Sequence, residues 1–478
     1  MTTRIALALF AVAAGSLQAE VNRVADVAQT PKRAAGAAKY SDVCFSPRWR
    51  RPRDEKDPHD TFRDAKAFHA TRFDWVYSGD AEWIKECRRR GYWFTGTLSS
   101  ILPDPGTGRR REGRLRNDKG DLIAAPWMRK WPEPGYWGCV NSPHYRETYL
   151  EAGKTLIDGG VDAIQMDDPG INYTAVRWGA CHCEHCKKKA RESGVDLGKE
   201  MKAFQKQSLI EFYRDIRKQL DAYAGRRIPW SSNNYNGAME FPYDLFDFGI
   251  AELPHGSSKP HELYHKITGA AKKGRQQIYT YVSTEIPQSR RVIAMAYACG
   301  GHVIVPYDVW HGDRPRIFGT PEEYGDLYGF VRAIAVHLDG HEDAAIFSGG
   351  RIREARYGTH KPVEIDAKKV YAMTRGQPGK PDASAVVHLV DWRASPEPFR
   401  VKLRPELFHV SGQLELSLLV PPKYDAATHA KAAESGDFSA LRKELPTTTS
   451  RQSGWLIAEI PVLNPWGVLV VSPAPGPG

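Results

Sequence analysis

Between residue 40 and about residue 310, short apolar runs rich in β-branched and aromatic residues alternate with stretches whose apolar residues recur at helical spacing. The strand-like runs fall at residues 42–46, 73–78, 92–98, 163–168, 228–233, 246–253, 277–283 and 302–308, eight in all. Helical spacing is clearest at 80–90, 145–159, 199–224, 260–273 and 288–299. Strands that alternate with helices form parallel sheets, and eight of them predict a closed (β/α)8 barrel, the TIM-barrel architecture. After about residue 338 the period shortens to two, at 386–392, 399–403, 413–419, 455–460 and 467–471, with Pro, Gly and charged turns between the runs. That pattern predicts a C-terminal antiparallel β-sandwich. The chain therefore divides into an N-terminal arm or linker over 20–39, a barrel over 40–337 and a sandwich domain over 338–478, without internal repeats.

The first residues carry one positive charge, Arg4, then an apolar run over 5–17 and a small-residue site ending at Ala19. This is the pattern of a signal peptide over 1–19, and the run falls short of the roughly 20 residues that a transmembrane helix needs. The expectation is a secreted or periplasmic protein without a membrane span. The formal net charge of +10, with a knot of Arg109, Arg110, Arg111, Arg114 and Arg116, fits acidic partners such as uronic or sulfated sugars and equally a solvated loop in a chain whose composition runs to arginine. No recognition helix, zinc-finger helix or aromatic-basic strand motif accompanies the charge, which argues against nucleic acid. The oligomeric state is left open.

Barrel active sites lie in the loops after the carboxyl ends of the strands. Strand four ends in Asp167 and Asp168, strand five in Asn233 and Asn234, strand six in Glu252 and His255, strand seven in Glu285, and strand eight in Asp308 and His311. Trp49, Trp75, Tyr77, Trp127, Trp131, Trp137, Tyr235, Tyr307 and Trp310 accompany them, aromatics suited to stacking on sugar faces as well as to lining a pocket. Two carboxyl groups, one protonating a leaving oxygen and one attacking the anomeric carbon or activating water, are the machinery of glycoside hydrolysis. Asp167, Asp168, Glu252 and Glu285 are the catalytic candidates. Because neighbouring side chains on a strand point to opposite sides, Asp167 and Asp168 do not face the pocket equally. Asn233, Asn234, His255, Asp308, Trp310, His311, Trp49 and Tyr77 are candidates for holding a carbohydrate, and the insertion at 103–134, with Trp127 and Trp131, for a lid or subsite wall. Two alternatives stay open: a polysaccharide lyase using His255 or His311 with Tyr307, and a barrel that binds glycans without cleaving them. A metal-dependent amidohydrolase would need His-x-His on strand one, which instead leads into Cys44-Phe-Ser-Pro-Arg48. No organic cofactor is expected.

Of the seven cysteines, Cys181, Cys183 and Cys186 form a C-x-C-x-x-C run that can surround one metal ion. A tetrahedral zinc needs a fourth ligand. Cys139, just before strand four, is the best placed, with His182 or His185 as substitutes. Four protein ligands would make the zinc structural. Disulfides are the alternative in an oxidising compartment. Cys44, Cys87 and Cys299 lie in predicted strands or helices and read as buried apolar residues.

The stretch Trp137-Gly-Cys-Val-Asn-Ser-Pro-His-Tyr-Arg-Glu147, followed by an acid-terminated strand and by Cys181-His-Cys-Glu-His-Cys186, resembles the family 42 β-galactosidases and related glycosyl hydrolases with an amylase-like barrel. The likeness covers roughly residues 137–190 by motif and implies a structural zinc on the four cysteines. It departs after strand four, where family 42 has Asn-Glu and this chain reads Gln165-Met-Asp167-Asp168-Pro169. The stretch Gly160-Val-Asp-Ala-Ile-Gln-Met-Asp167 is more similar to amylase-type and α-galactosidase-type barrels, in which an Asp ending strand four is the nucleophile. This second resemblance implies Asp167 as nucleophile or general base, Asp168 as a supporting or substrate-binding group, and an acid after strand six, Glu252. The family 42 clan instead implies a pairing of Asp168 with Glu285 after strand seven.

Overall fold

The computed structural model describes residues 23–29, 33–47, 60–101, 112–124, 126–128, 135–233, 241–253, 258–281, 283, 285–306, 309–311, 314–317, 319–349, 361–409 and 413–474. Eight parallel strands run in sequence order, β1 (Cys44–Phe45), β2 (Arg72–Val76), β3 (Trp93–Ser99), β4 (Ala163–Asp167), β5 (Trp230–Ser232), β6 (Phe248–Glu252), β7 (Gln277–Thr280) and β8 (His302–Val303). The ring closes just past β8, where the Val305 N–H donates to the Cys44 carbonyl at 2.8 Å. Alternation along each strand sorts the side chains. Cys44, Trp75, Ala163, Phe248, Ile250, Ile278 and Ile304 fill the interior, while Phe73, Phe94, Ile164 and Met166 join the larger core formed with the helices. Those helices include Ala81–Arg89, Pro143–Asp158, Leu197–Ala224, Pro260–Lys272 and Ile286–Ala298. Toward the amino ends of the strands, Arg72 and Asp74 form a fully buried ion pair at 2.6 Å, and Thr95 donates to the same carboxylate. A buried pair of this kind adds little net stability, because the cost of desolvating both charges offsets their attraction.

The C-terminal region is antiparallel throughout, as its period of two predicts. A six-stranded sheet orders Glu342–Ser348, Val370–Gly376, Ala385–Asp391, Trp466–Pro473, Leu414–Val420 and Lys443–Leu445. A four-stranded sheet orders Val363–Ile365, Phe399–Leu403, Trp455–Ile460 and Thr449–Gln452. Their apolar faces share one core that includes Val387, Leu389, Val401, Ala458 and Leu469. The sandwich also carries a helix, Ala426–Ser435, started by Asp425, whose carboxylate accepts from the Thr428 N–H, and ended at Gly436 with φ 73°. Its His429 meets His69 of the barrel at 2.8 Å. The described part of the N-terminal arm is packed, with Val24 fully buried in the sandwich core and the Gly36 carbonyl facing the Arg72 guanidinium. Among the described residues no helix is long and apolar enough to cross a membrane.

Candidate active site and cysteine cluster

Three strand ends converge on one carboxylate. On β4, Ala163 packs inside the barrel and Ile164 and Met166 pack outside, so Gln165 and Asp167 share the inner face. Tyr77, just beyond β2, donates its hydroxyl to Oδ2 of Asp167 at 2.5 Å, and Asn233, just beyond β5, donates its amide to Oδ1 at 2.7 Å. Ser100, following β3, donates to the backbone carbonyls of Asp167 and Asp168 at 2.7 and 3.0 Å. Asp168 turns out of the strand with φ 48°, a left-handed conformation rare outside glycine. Behind the strand, Tyr149 and Tyr213 are buried on helices Pro143–Asp158 and Leu197–Ala224. Burial raises both phenols above their ordinary pKa, and the negative charge of Asp167 pushes the same way. Tyr243 is raised as well, by burial first and then by Asp168.

Neutral donors on both oxygens stabilise a carboxylate as its anion. Asp167 is therefore suited to attack or to accept a proton, and ill suited to serve as the acid. Glu252 ends β6 on the face that carries Phe248 and Ile250, and is exposed. Glu285 is also exposed but lies off the sheet, as the N-cap residue of helix Ile286–Ala298.

Several sequence expectations change in the structure. Trp75 and Trp137, for which sugar stacking and packing both stood open, are 1% and 0% exposed and pack in cores. Arg114, counted in the basic knot, is 3% exposed and lies over the Tyr136 ring, so it does not face a ligand. Arg116 turns back to the Gly120 carbonyl. Tyr77 and Asn233, both candidates for holding a carbohydrate, are hydrogen-bonded to Asp167. Trp127 is exposed, edge-on to Trp137 and Trp178. Trp310 and His311 fall in a hairpin, Val309–His311 with Arg314–Ile317, rather than at the end of β8. Trp49, Trp131, Asn234, Tyr235, His255, Tyr307, Asp308 and Arg109 to Arg111 lie outside the described residues. Ser100, in the bend after β3, and Asn172, in the short helix Ile171–Thr174, carry no sequence pattern that marks them, since a lone Ser or Asn has many roles.

Cys139, Cys181, Cys183 and Cys186 meet in a buried cluster whose sulfurs all lie within 4.8 Å of one another. Cys139 is 3.5 Å from Cys183, 3.5 Å from Cys186 and 3.9 Å from Cys181. A disulfide would need about 2.05 Å. A tetrahedral zinc with sulfurs at about 2.3 Å would set them about 3.8 Å apart, which these separations bracket. The cluster can thus hold a metal ion. Hydrogen bonding among the sulfurs, that to Cys139 first, pushes the Cys186 thiol far below its ordinary range, and Asn141 adds an N–H at 3.3 Å. His182 and His185 stand outside the cluster. The loop bearing Cys139 is clamped by Asn172, which accepts from the Val140 N–H at 3.2 Å and donates to the Gly138 carbonyl at 3.0 Å. Gly138 has no alternative there, because a Cβ would sit 2.1 Å from the Tyr145 ring. Cys44, Cys87 and Cys299 are buried elsewhere.

No protein-family model matches the chain, and no curated protein does, so the family 42 likeness rests on residues 137–190 alone. Solved structures match in fold. Alpha-L-fucosidase isoenzyme 2 from Paenibacillus thiaminolyticus aligns over 92% of this chain and 100% of its own at 10% identity, with a TM-score of 0.54. The alpha-amylase from Geobacillus thermoleovorans, complexed with acarbose, covers the same shares at 8% identity, with a TM-score of 0.53. Identities this low establish the shared barrel architecture.

Proposed function

We propose that this protein is a glycoside hydrolase acting on an oligo- or polysaccharide, with Asp167 as its nucleophile or general base and Glu252 as its acid. The observation that carries the reading is the hold on Asp167: both carboxylate oxygens take hydrogen bonds from neutral donors at a strand end in the barrel mouth. That hold keeps the group ionised, aimed and unable to swing. Glu252 is favoured over Glu285 because it continues the inward face of its strand and reaches solvent, where a leaving-group oxygen would be. The fucosidase and amylase that share the fold support the substrate class by analogy.

Cys139, Cys181, Cys183 and Cys186 would hold a structural zinc, which supplies cross-linking and no open position for chemistry. It would tie the loop before β4 to the segment after it, and so brace the strand bearing Asp167. The pattern of residues 1–19 supports export. The formal net charge of +10 and the arginines at 109–111 support an acidic or sulfated glycan, a preference that fails if neutral oligosaccharides turn over faster.

The test is product analysis on neutral, sulfated and uronic glycans. New reducing ends without ultraviolet-absorbing unsaturated products support hydrolysis. Unsaturated ends would instead mark a lyase, and retention without cleavage a binding protein.

A further inference from the structure

We propose that Trp75 is a positioning residue that sets the hydrogen-bond polarity of Tyr77 and thereby holds Asp167 ionised; the inference rests on the reading of Asp167 as the anionic catalytic group. The indole Nε1 of Trp75 lies 3.1 Å from the Tyr77 hydroxyl oxygen, which lies 2.5 Å from Oδ2 of Asp167. An indole N–H only donates and an ionised carboxylate only accepts. The Tyr77 oxygen must therefore accept from Trp75, and its single proton points at Asp167. Donation into the phenol also polarises its O–H, which strengthens the second bond.

The backbone supports a dedicated role. Trp75 has φ 57°, an outlier for a bulky side chain, although it is 1% exposed inside the barrel. The pairing of β2 with β3 shifts register between Phe73 and Val76, across this residue. Ser46, just beyond β1, fixes the strained peptide by donating its hydroxyl to the Trp75 carbonyl at 2.8 Å. Such a conformation persists only where its surroundings enforce it, and it recurs at functional sites. A Trp retained only for bulk would pack from ordinary strand geometry; here the bulge and the strained φ bring the N–H to Tyr77.

The experiment replaces Trp75 with 3-benzothienylalanine, which keeps the bicyclic shape but has sulfur where the indole has N–H. Trp75→Phe and Tyr77→Phe are made beside it. Asp167 is titrated by NMR in protein labelled with 13C at aspartate carboxyls and assigned with Asp167→Asn, so that the readout needs no substrate. Loss of the N–H is expected to move this titration upward by about half to one pH unit, and Tyr77→Phe to move it by about one unit or more. In the Tyr77→Phe background the Trp75 replacement should add nothing, because its effect passes through the phenol. An unchanged titration in the benzothienyl protein, or an equal shift with and without the Tyr77 hydroxyl, would overturn the proposal. If the shifts appear but no glycan is cleaved, the relay stands and the hydrolase reading falls.

Discussion

Replacing Cys139 with serine tests the metal site through electrostatics that the geometry makes large. Two thiolates 3.5 to 3.9 Å apart repel by about 4–5 kcal/mol at an effective dielectric of about 20. Four together could not all ionise in a buried site without a cation, so zinc uptake must displace protons. Metal-free protein is expected to take up one zinc per chain and release protons in unbuffered calorimetry, with a rise in Tm. In Cys139→Ser one corner is lost, and zinc affinity should fall by orders of magnitude. Because these cysteines lie in their own apolar cluster with Leu115, Ile123, Trp137, Ile171 and Phe204, the damage should start there. Hydrogen exchange should show protection lost in residues 113–124 and 171–204 before the sandwich. A loss of about 3–5 kcal/mol would lower Tm by roughly 5–8 °C, at about 1.6 °C per kcal/mol for a unit the size of the barrel. The reasoning is refuted if purified protein takes up no zinc, or if its mass without reductant shows these cysteines as disulfides.

Gly138→Ala should cost about 1–3 kcal/mol, read as a lower Tm, because its methyl would enter the Tyr145 ring; an unchanged Tm would mean that the loop yields freely. The contact between His69 and His429 makes stability depend on pH. Burial first, then His429, lowers the His69 pKa to about 3, so the folded state stays neutral there while the unfolded chain takes up a proton below about 6.5. Stability should fall as the pH drops below 6.5, by roughly 2–3 kcal/mol at pH 4.5 from this group. His69→Gln should flatten the fall in Tm over that range without abolishing it, since burial also lowers His302 and His341. An identical slope in the variant would remove His69 from the account.

The barrel was legible because its signal is repeated: eight apolar runs, each followed by a polar residue, leave little choice of fold. Single strands were less exact. β8 covers only His302–Val303, and the run beyond it feeds a hairpin that periodicity does not distinguish from a longer strand. Helix Ala426–Ser435 was passed over within a β-rich stretch, although its alanines, the aspartate before it and the glycine after it are local helix signals. Asp167 was visible from its place at the end of an apolar run. Its partners were visible only as residue types, because a strand-end Tyr or Asn binds substrate or a neighbouring carboxylate equally well by sequence. For Trp75 both readings stood open, packing being the commoner for a single aromatic, and the structure buries it; its contact with Tyr77 follows from a backbone φ of 57° that no sequence pattern reveals.

The central claim is tested most directly by the rate of glycan cleavage in wild type beside Asp167→Asn and Glu252→Gln, on whichever glycan the wild type cuts. The account predicts that Asp167→Asn, which keeps the shape but not the charge, lowers kcat by about a thousandfold or more, a loss of about 4 kcal/mol of transition-state stabilisation. Glu252→Gln should lower it strongly for poor leaving groups and far less for activated aryl glycosides, which need no acid. Near wild-type cleavage by Asp167→Asn would contradict the account.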